Sequence, residues 1–290
     1  MALVHQILGW VLLSYILSGC ATLVGPPVPI AIPDRDSSYP TGKEFISQLN
    51  GVNEYQREIR ILRELRRGNI PSHLKNFVPI DINHRLKTGR TVKATLWVTP
   101  DYLAVGSNSD FIRVPMNPIT AQRVADHFAC VLPTAKIVDL VYQQAEVKLK
   151  PSTFAPGKHM VRTAQFVKHN DLIKTQMEDH SKSALVAGHK KDVVISNKLN
   201  KRKKRVAIYG WHRLNGKAIQ PLSTIHGNYY SDYSHGVRLV AGMMEIDGNM
   251  IPVAEVLQDP VLATIISYEG SLKNTRYPTE GAWTRKRWMP

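Results

Sequence analysis

Ile46, Leu49, Val52, Tyr55, Ile59, Leu62 and Leu65 recur at three- and four-residue steps. That spacing puts seven apolar side chains on one stripe of a helix, and the stripe must find a core to cover it. The pattern predicts a helix over residues 45–68, ended by Gly68 and Pro71. Arg57, Arg60, Arg63, Arg66 and Arg67 fall on the other side and read as a solvated face. Over residues 76–115 the period changes. Thr91 to Val98 is rich in β-branched residues, Thr99-Pro100-Asp101 is a turn signal, and Tyr102 to Gly106 completes a predicted hairpin. Phe111 to Pro115 adds a third strand, and further helices are expected over 118–148 and 165–180. A chain that runs from helix to strands and back to helices is neither a bundle nor a sandwich. The expected class is α+β, with a mixed or mainly antiparallel sheet and about three flanking helices.

The remaining composition narrows the class further. Hydrophobic residues make up 43% of the 290, enough to build a core and too many for a wholly disordered chain. Two cysteines exclude a disulfide-stapled scaffold and a thiolate zinc cluster. The formal net charge is +15, which favours anionic partners. Cys130 ends an apolar helical face in this reading and belongs to the core, since reactive thiols favour helix N-termini.

An apolar stretch, Ile7 to Leu17, runs into Leu17-Ser18-Gly19-Cys20. It is too short to span a bilayer and suits a signal-peptide core. The Leu-Ser-Gly-Cys ending resembles the lipobox of bacterial lipoproteins. The resemblance implies removal of residues 1–20 as a signal peptide, lipidation of Cys20, and an exported protein held to the membrane of the cell envelope. Residues 21–44 carry Pro26, Pro27, Pro29, Pro33 and Pro40 and read as a stiff tether. Residues 45–290 then form a single domain, with a candidate seam at 150–158.

The densest polar-aromatic stretch lies late in the chain. His212, His226 and His235 fall within 24 residues, together with Tyr209, Trp211, Tyr229, Tyr230 and Tyr233. Imidazole titrates near neutrality and suits proton transfer, and phenol and indole rings suit stacking against sugars. The expected catalytic set is therefore His235, His226, Tyr230, Asp232 and His189, with Asp232 orienting His235. Arg238, Tyr233, Trp211, His212 and Asp192 are the expected substrate-binding set, with Arg238 on a carboxylate. His189, His226 and His235 are acceptable zinc ligands, but there is no HExxH and no CxxC, so the expected cofactor is none.

His226-Gly227 followed by Ser234-His235-Gly236-Val237-Arg238-Leu239 resembles the active-site signature of L,D-transpeptidases of the cell wall. Gly236 matches that signature's glycine and Arg238 its arginine, but Val237 follows directly and no catalytic cysteine stands between them. The resemblance points toward wall-like substrates while withholding the family's covalent acyl step.

Two functions follow from the residues. One is an envelope enzyme, a hydrolase or lyase, that cleaves an anionic polysaccharide or peptidoglycan by His/Tyr acid–base chemistry. Few carboxylates lie near the aromatic stretch, so the two-carboxylate route of most glycosidases fits it less well. The alternative is a non-catalytic lipoprotein that holds such a polymer through its basic surface, including the run Lys201-Arg202-Lys203-Lys204-Arg205. Nucleic acid is not an expected partner, because no reading motif accompanies the charge.

Overall fold

The computed structural model describes residues 25–27 and 30–280. The expected signal segment, Cys20 and the start of the expected tether lie outside the described residues. The fold is α+β, built on one six-stranded and one four-stranded sheet.

Strand Thr91–Val98 is the centre of the larger sheet. It pairs antiparallel along its whole length with Val78–Arg85, from Val78 opposite Val98 to Arg85 opposite Thr91. Its other edge is shared by Val240–Ala241 and Met243–Ile246. The expected hairpin between residues 91–98 and 102–106 is therefore replaced. The turn at Asp101 leads away, and Ala104–Gly106 pairs instead with Phe111–Arg113. Alternation along Thr91–Val98 gives way to continuous burial at its end, as befits a central strand covered on both faces.

The helix predicted over 45–68 is two helices. Thr41 caps Gly42–Gln48, Gly51 takes a left-handed φ of 72°, and Asn53 caps Glu54–Arg66, each cap closing a reciprocal capping box. Gly51 supplies a turn that a side-chain-bearing residue would resist. Nor is the arginine face wholly solvated: Arg57 is buried and donates to the Val161 carbonyl. Residues 30–41, expected within the tether, lie against the domain. Ile32 enters the core, Arg35 donates to Asn69, and Lys75 donates to the Pro33 carbonyl.

Pro118–His127 and Ala135–Gln144 are helices much as their opening prolines and threonines suggest, capped by Asn117 and Thr134. Cys130 is core, but on a short strand rather than a helix, and burial pushes its thiol up to about 12. Residues 184–196, whose apolar and β-branched content reads as one strand, form two short ones: Val186–Ala187 and Lys191–Val194 are separated by a turn that begins at Gly188, with φ 96°.

The smaller sheet carries the histidine-rich segments. Its order is Ala218–Ser223, Ala207–His212, Lys191–Val194, His235–Gly236. The last pair is parallel, with His235 opposite Lys191 and Gly236 opposite Asp192. Two clusters more than thirty residues apart in sequence thus meet on adjacent strands. Among the described residues no helix is long and apolar enough to cross a membrane.

Candidate functional site

The four-stranded sheet gathers the expected residues without giving them one shared pocket. His226 and Tyr230 remain half-buried at the surface, their rings stacked at 4.1 Å and 13°. The Tyr230 hydroxyl donates to Asp232 Oδ2 at 2.9 Å, and the amide and hydroxyl of Ser234 both donate to Asp232 Oδ1. Asp232 is thus engaged by tyrosine and serine, not by the His235 ring it was expected to orient. His235 is completely enclosed, edge-on to Tyr230 at 5.7 Å, and neither ring nitrogen has a partner. Burial lowers it to about 4, the neutral form being the only one the interior accepts cheaply.

The expected binding residues are also largely internal. Arg238 is 2% exposed and donates to the carbonyls of Thr99 and Val186, so it ties two backbone segments together and leaves no free fork for a carboxylate. Tyr233 is buried, with its hydroxyl accepting from the Phe154 amide at 2.7 Å. Trp211 is buried under the Lys191 ammonium, which lies 5.0 Å from its ring centre.

His189 belongs to a second network that sequence reasoning missed. Its Nε2 meets Asp101 Oδ1 at 3.0 Å, and the other oxygen of Asp101 receives the guanidinium of Arg113. All three are at least 96% buried in their side chains. Burial opposes charge on Asp101, yet Arg113 and His189 hold it well below the usual carboxylate range. Burial lowers His189 to about 4. Beside them Lys190 is enclosed, donating to the Tyr233 carbonyl at 2.7 Å, and burial with the Arg113 charge lowers it to about 7.

Asp192 and His212 form the third group, and here an open cavity meets the chemistry. His212 Nε2 lies 2.9 Å from Asp139 Oδ1. The same carboxylate accepts from the Tyr209 hydroxyl at 2.9 Å and the Tyr268 hydroxyl at 2.8 Å. Tyr142 stacks on the imidazole at 4.4 Å. Asp139, Tyr142, Tyr209, His212 and Lys148 line a cleft of about 480 Å³. His212 and Tyr142 also wall a small internal void that contains Asp192, Tyr102 and Arg238. In that void the Tyr102 hydroxyl donates to Asp192 Oδ2 at 2.7 Å while Oδ1 has no partner, and burial raises Asp192 to about 6.

The local backbone explains why His212 points where it does. Gly210 has φ 105° and Trp211, with a full side chain, has φ 56°. Two successive left-handed residues inside a strand break its alternation, and a non-glycine residue holds such a conformation only when its surroundings enforce it. The space around residue 210 is close-packed, with one contact tighter than ordinary. A β-carbon there would sit 3.1 Å from Val138 Cγ1, 3.5 Å from His212 Cε1 and 3.6 Å from Asp192 Oδ2. Asp139 and Tyr142 reach the same place because they stand one turn apart on helix Ala135–Gln144.

His169 joins the second network through its Nδ1, 3.3 Å from Lys190 Nζ, and among the described residues six of the ten buried side-chain atoms without a partner lie in these networks: His169 Nε2, His189 Nδ1, Asp192 Oδ1, Trp211 Nε1 and both nitrogens of His235. Buried polar atoms are nearly always satisfied, so these are the positions in the sheet where the protein's own groups leave hydrogen-bonding capacity unmet. No group of three or more His, Cys, Asp or Glu suited to a metal occurs among the described residues. The residues that sequence reasoning missed are Asp101, Tyr102, Arg113 and Asp139. Asp139 had a signal, a carboxylate interrupting the apolar run Ile137-Val138-Asp139-Leu140-Val141.

No family model, curated protein or solved structure matches this chain.

Proposed function

We propose that the protein is an exported, lipid-anchored envelope enzyme that hydrolyses an anionic wall or extracellular polymer, with His212 as its acid–base residue. The observation that carries the reading is the Asp139–His212 pair on the wall of the open cleft. A carboxylate that accepts from an imidazole N–H fixes the ring's orientation and tautomer and stabilises the imidazolium when it forms. With Nε2 so occupied, Nδ1 is the nitrogen left to take a proton. In the first half of the reaction it takes one from water, whose oxygen bonds the electrophilic centre of the linkage. In the second half the imidazolium returns that proton to the departing oxygen, so the net change is addition of one water. Lys148 on the cleft wall supplies a positive charge suited to an acidic substrate. His226 and Tyr230 remain the surface-facing members of the first group and are assigned to substrate contact.

Incubating the full chain with peptidoglycan and with uronate polysaccharides, then weighing the products, tests the reading. Fragments heavier by one water, lost in His212→Ala and Asp139→Asn but kept in an exposed-surface control such as Lys87→Gln, are expected. Unsaturated ends would replace hydrolysis by elimination. Intact polymer throughout the panel would replace catalysis by retention of the polymer on the protein.

A further inference from the structure

A second cavity lies away from the His212 cleft and takes up no part of the chemistry above. It measures about 610 Å³. Its rim carries Arg202, Lys203, Lys204 and Arg205 from the connection between strands Lys191–Val194 and Ala207–His212, together with Lys273 and Arg276 from the far end of the chain. Among the described residues no Asp or Glu lines it. Arg276 is paired with Asp126 at 2.6 Å, and Arg205 donates to the Ile225 carbonyl. The other four side chains have neither ion pair nor hydrogen bond among the described residues, and all four are exposed. Bringing uncompensated like charges around one concavity raises its potential, and such a cavity attracts and concentrates anions.

The arrangement is built rather than a loose tail. The basic connection is pinned at its return end: the Asn228 amide donates to the Lys204 carbonyl, Val206 donates to the His226 carbonyl, and Arg205 bridges Gly227. On the other side Lys273 is held through its amide, which donates to Asn197, and Asn274 donates to Asn200 at 2.7 Å. The apolar surface open between the cations comes from Leu199 and Pro278, with Ile119 and Ile195 buried behind them, and the amides of Asn200, Asn228 and Asn274 stand on the walls.

We propose that this groove binds a linear anionic glycan, a chain bearing carboxylate or phosphate groups on successive units. Its acidic groups meet the cations, its hydroxyls meet the asparagine amides, and its ring faces lie on the apolar surface between the cations. Single-stranded nucleic acid fits less well. Its binding sites stack bases on exposed rings, whereas Tyr277, the one aromatic among the described residues of this groove, is 3% exposed and donates its hydroxyl to the Val194 carbonyl. The site is independent of catalysis at His212, so it stands or falls by binding alone.

The test measures binding of the full chain to oligogalacturonate and to a polyol-phosphate chain, with dextran, poly-L-glutamate and single-stranded DNA of matched length as comparators. Binding to one or both acidic polymers, weakening with salt and absent for dextran, is expected. Arg202→Gln, Lys203→Gln, Lys204→Gln and Lys273→Gln together should weaken it roughly 10- to 100-fold, the scale of four exposed charge pairs. A control with the same loss of charge elsewhere, Lys43→Gln, Lys87→Gln, Lys158→Gln and Lys174→Gln, should change it less than about threefold. All eight residues are exposed, so both variants should keep the native melting temperature. Equal weakening by the two variants would reduce the effect to net charge and overturn the proposal. So would DNA or poly-L-glutamate binding as tightly as the acidic polymers. Hydrolytic activity without groove-dependent binding would overturn this proposal and leave the enzymatic reading intact.

Discussion

His212 and His235 sit on strands of the same sheet, come from the same aromatic-rich stretch and are both buried, His212 at 3% exposure and His235 at 0%, yet their partners differ. His212 is gripped by a carboxylate that two tyrosine hydroxyls also hold, on the wall of a cleft. His235 is sealed, with both ring nitrogens unpartnered. The difference teaches that residue type and crowding in sequence do not make a proton-transfer site. An imidazole needs one nitrogen fixed and the other within reach of water. The polar-aromatic segment Ile225 to Arg238 concentrates candidates, but most of them are turned inward by the parallel pairing of His235–Gly236 with Lys191–Asp192.

The largest expected effect falls on His212 and would break the comparison if it failed. His212→Ala and Asp139→Asn should each lower hydrolysis by about 10²–10⁴-fold, the range that positioned acid–base groups supply. Neither should abolish binding in the basic groove. Steady-state rates on the best substrate of the polymer panel check this. A variant that retains more than a tenth of the wild-type rate would remove His212 from the chemistry.

Next comes the buried network behind the sheet. Asp101→Asn leaves the enclosed Arg113 guanidinium without its counter-charge, and breaking a buried pair from one side costs about 3–5 kcal/mol. Urea unfolding would read the loss directly. A cost below about 1 kcal/mol would mean that water reaches Arg113, and that the interior is less sealed than the geometry implies.

Acid sharpens the same contrast. His189 and His235 are both lowered by burial from 6.5 to about 4. The unfolded chain therefore takes up protons below pH 6.5 that the folded one refuses. Stability is flat with respect to these groups above pH 6.5 and falls as the pH drops toward 4, by about 3 kcal/mol for each residue. Below 4 the folded state protonates too, and their contribution levels off. Melting temperatures across pH 8 to 4 should show this descent, and His235→Gln should make it shallower.

How much of this was legible in the sequence depends on whether the signal was local. Helices Pro118–His127 and Ala135–Gln144 follow from their caps and periodicity, and the basic run was visible as a run. The break at Gly51 was masked because the apolar spacing continues across it. The hairpin was misassigned because β-branched content marks a strand without naming its partner, and Thr91–Val98 found Val78–Arg85. His212 was recognised as part of the site, but its role rests on Asp139, 73 residues away, and on two left-handed residues before it. The groove joins positions 202–205 to 273–276, which no window along the chain contains.

The smallest effect is the one that separates packing from function at His235. Leucine is close in volume to histidine and carries no polar atoms, so His235→Leu would remove two buried nitrogens that bond nothing. If the ring is packing, the exchange should stabilise the fold by about 1–2 kcal/mol, since an unmet buried polar group costs roughly that much. Activity should then be unchanged. If stability rises while hydrolysis falls, the orphaned imidazole is retained for the reaction at a cost to the fold, and the enclosed histidine acts through Tyr230 and Asp232 on the surface pair. Chemical denaturation and rates measured on the same preparation distinguish the outcomes. A loss of stability would contradict both, because it would require that His235 bonds a buried water whose removal the leucine cannot offset.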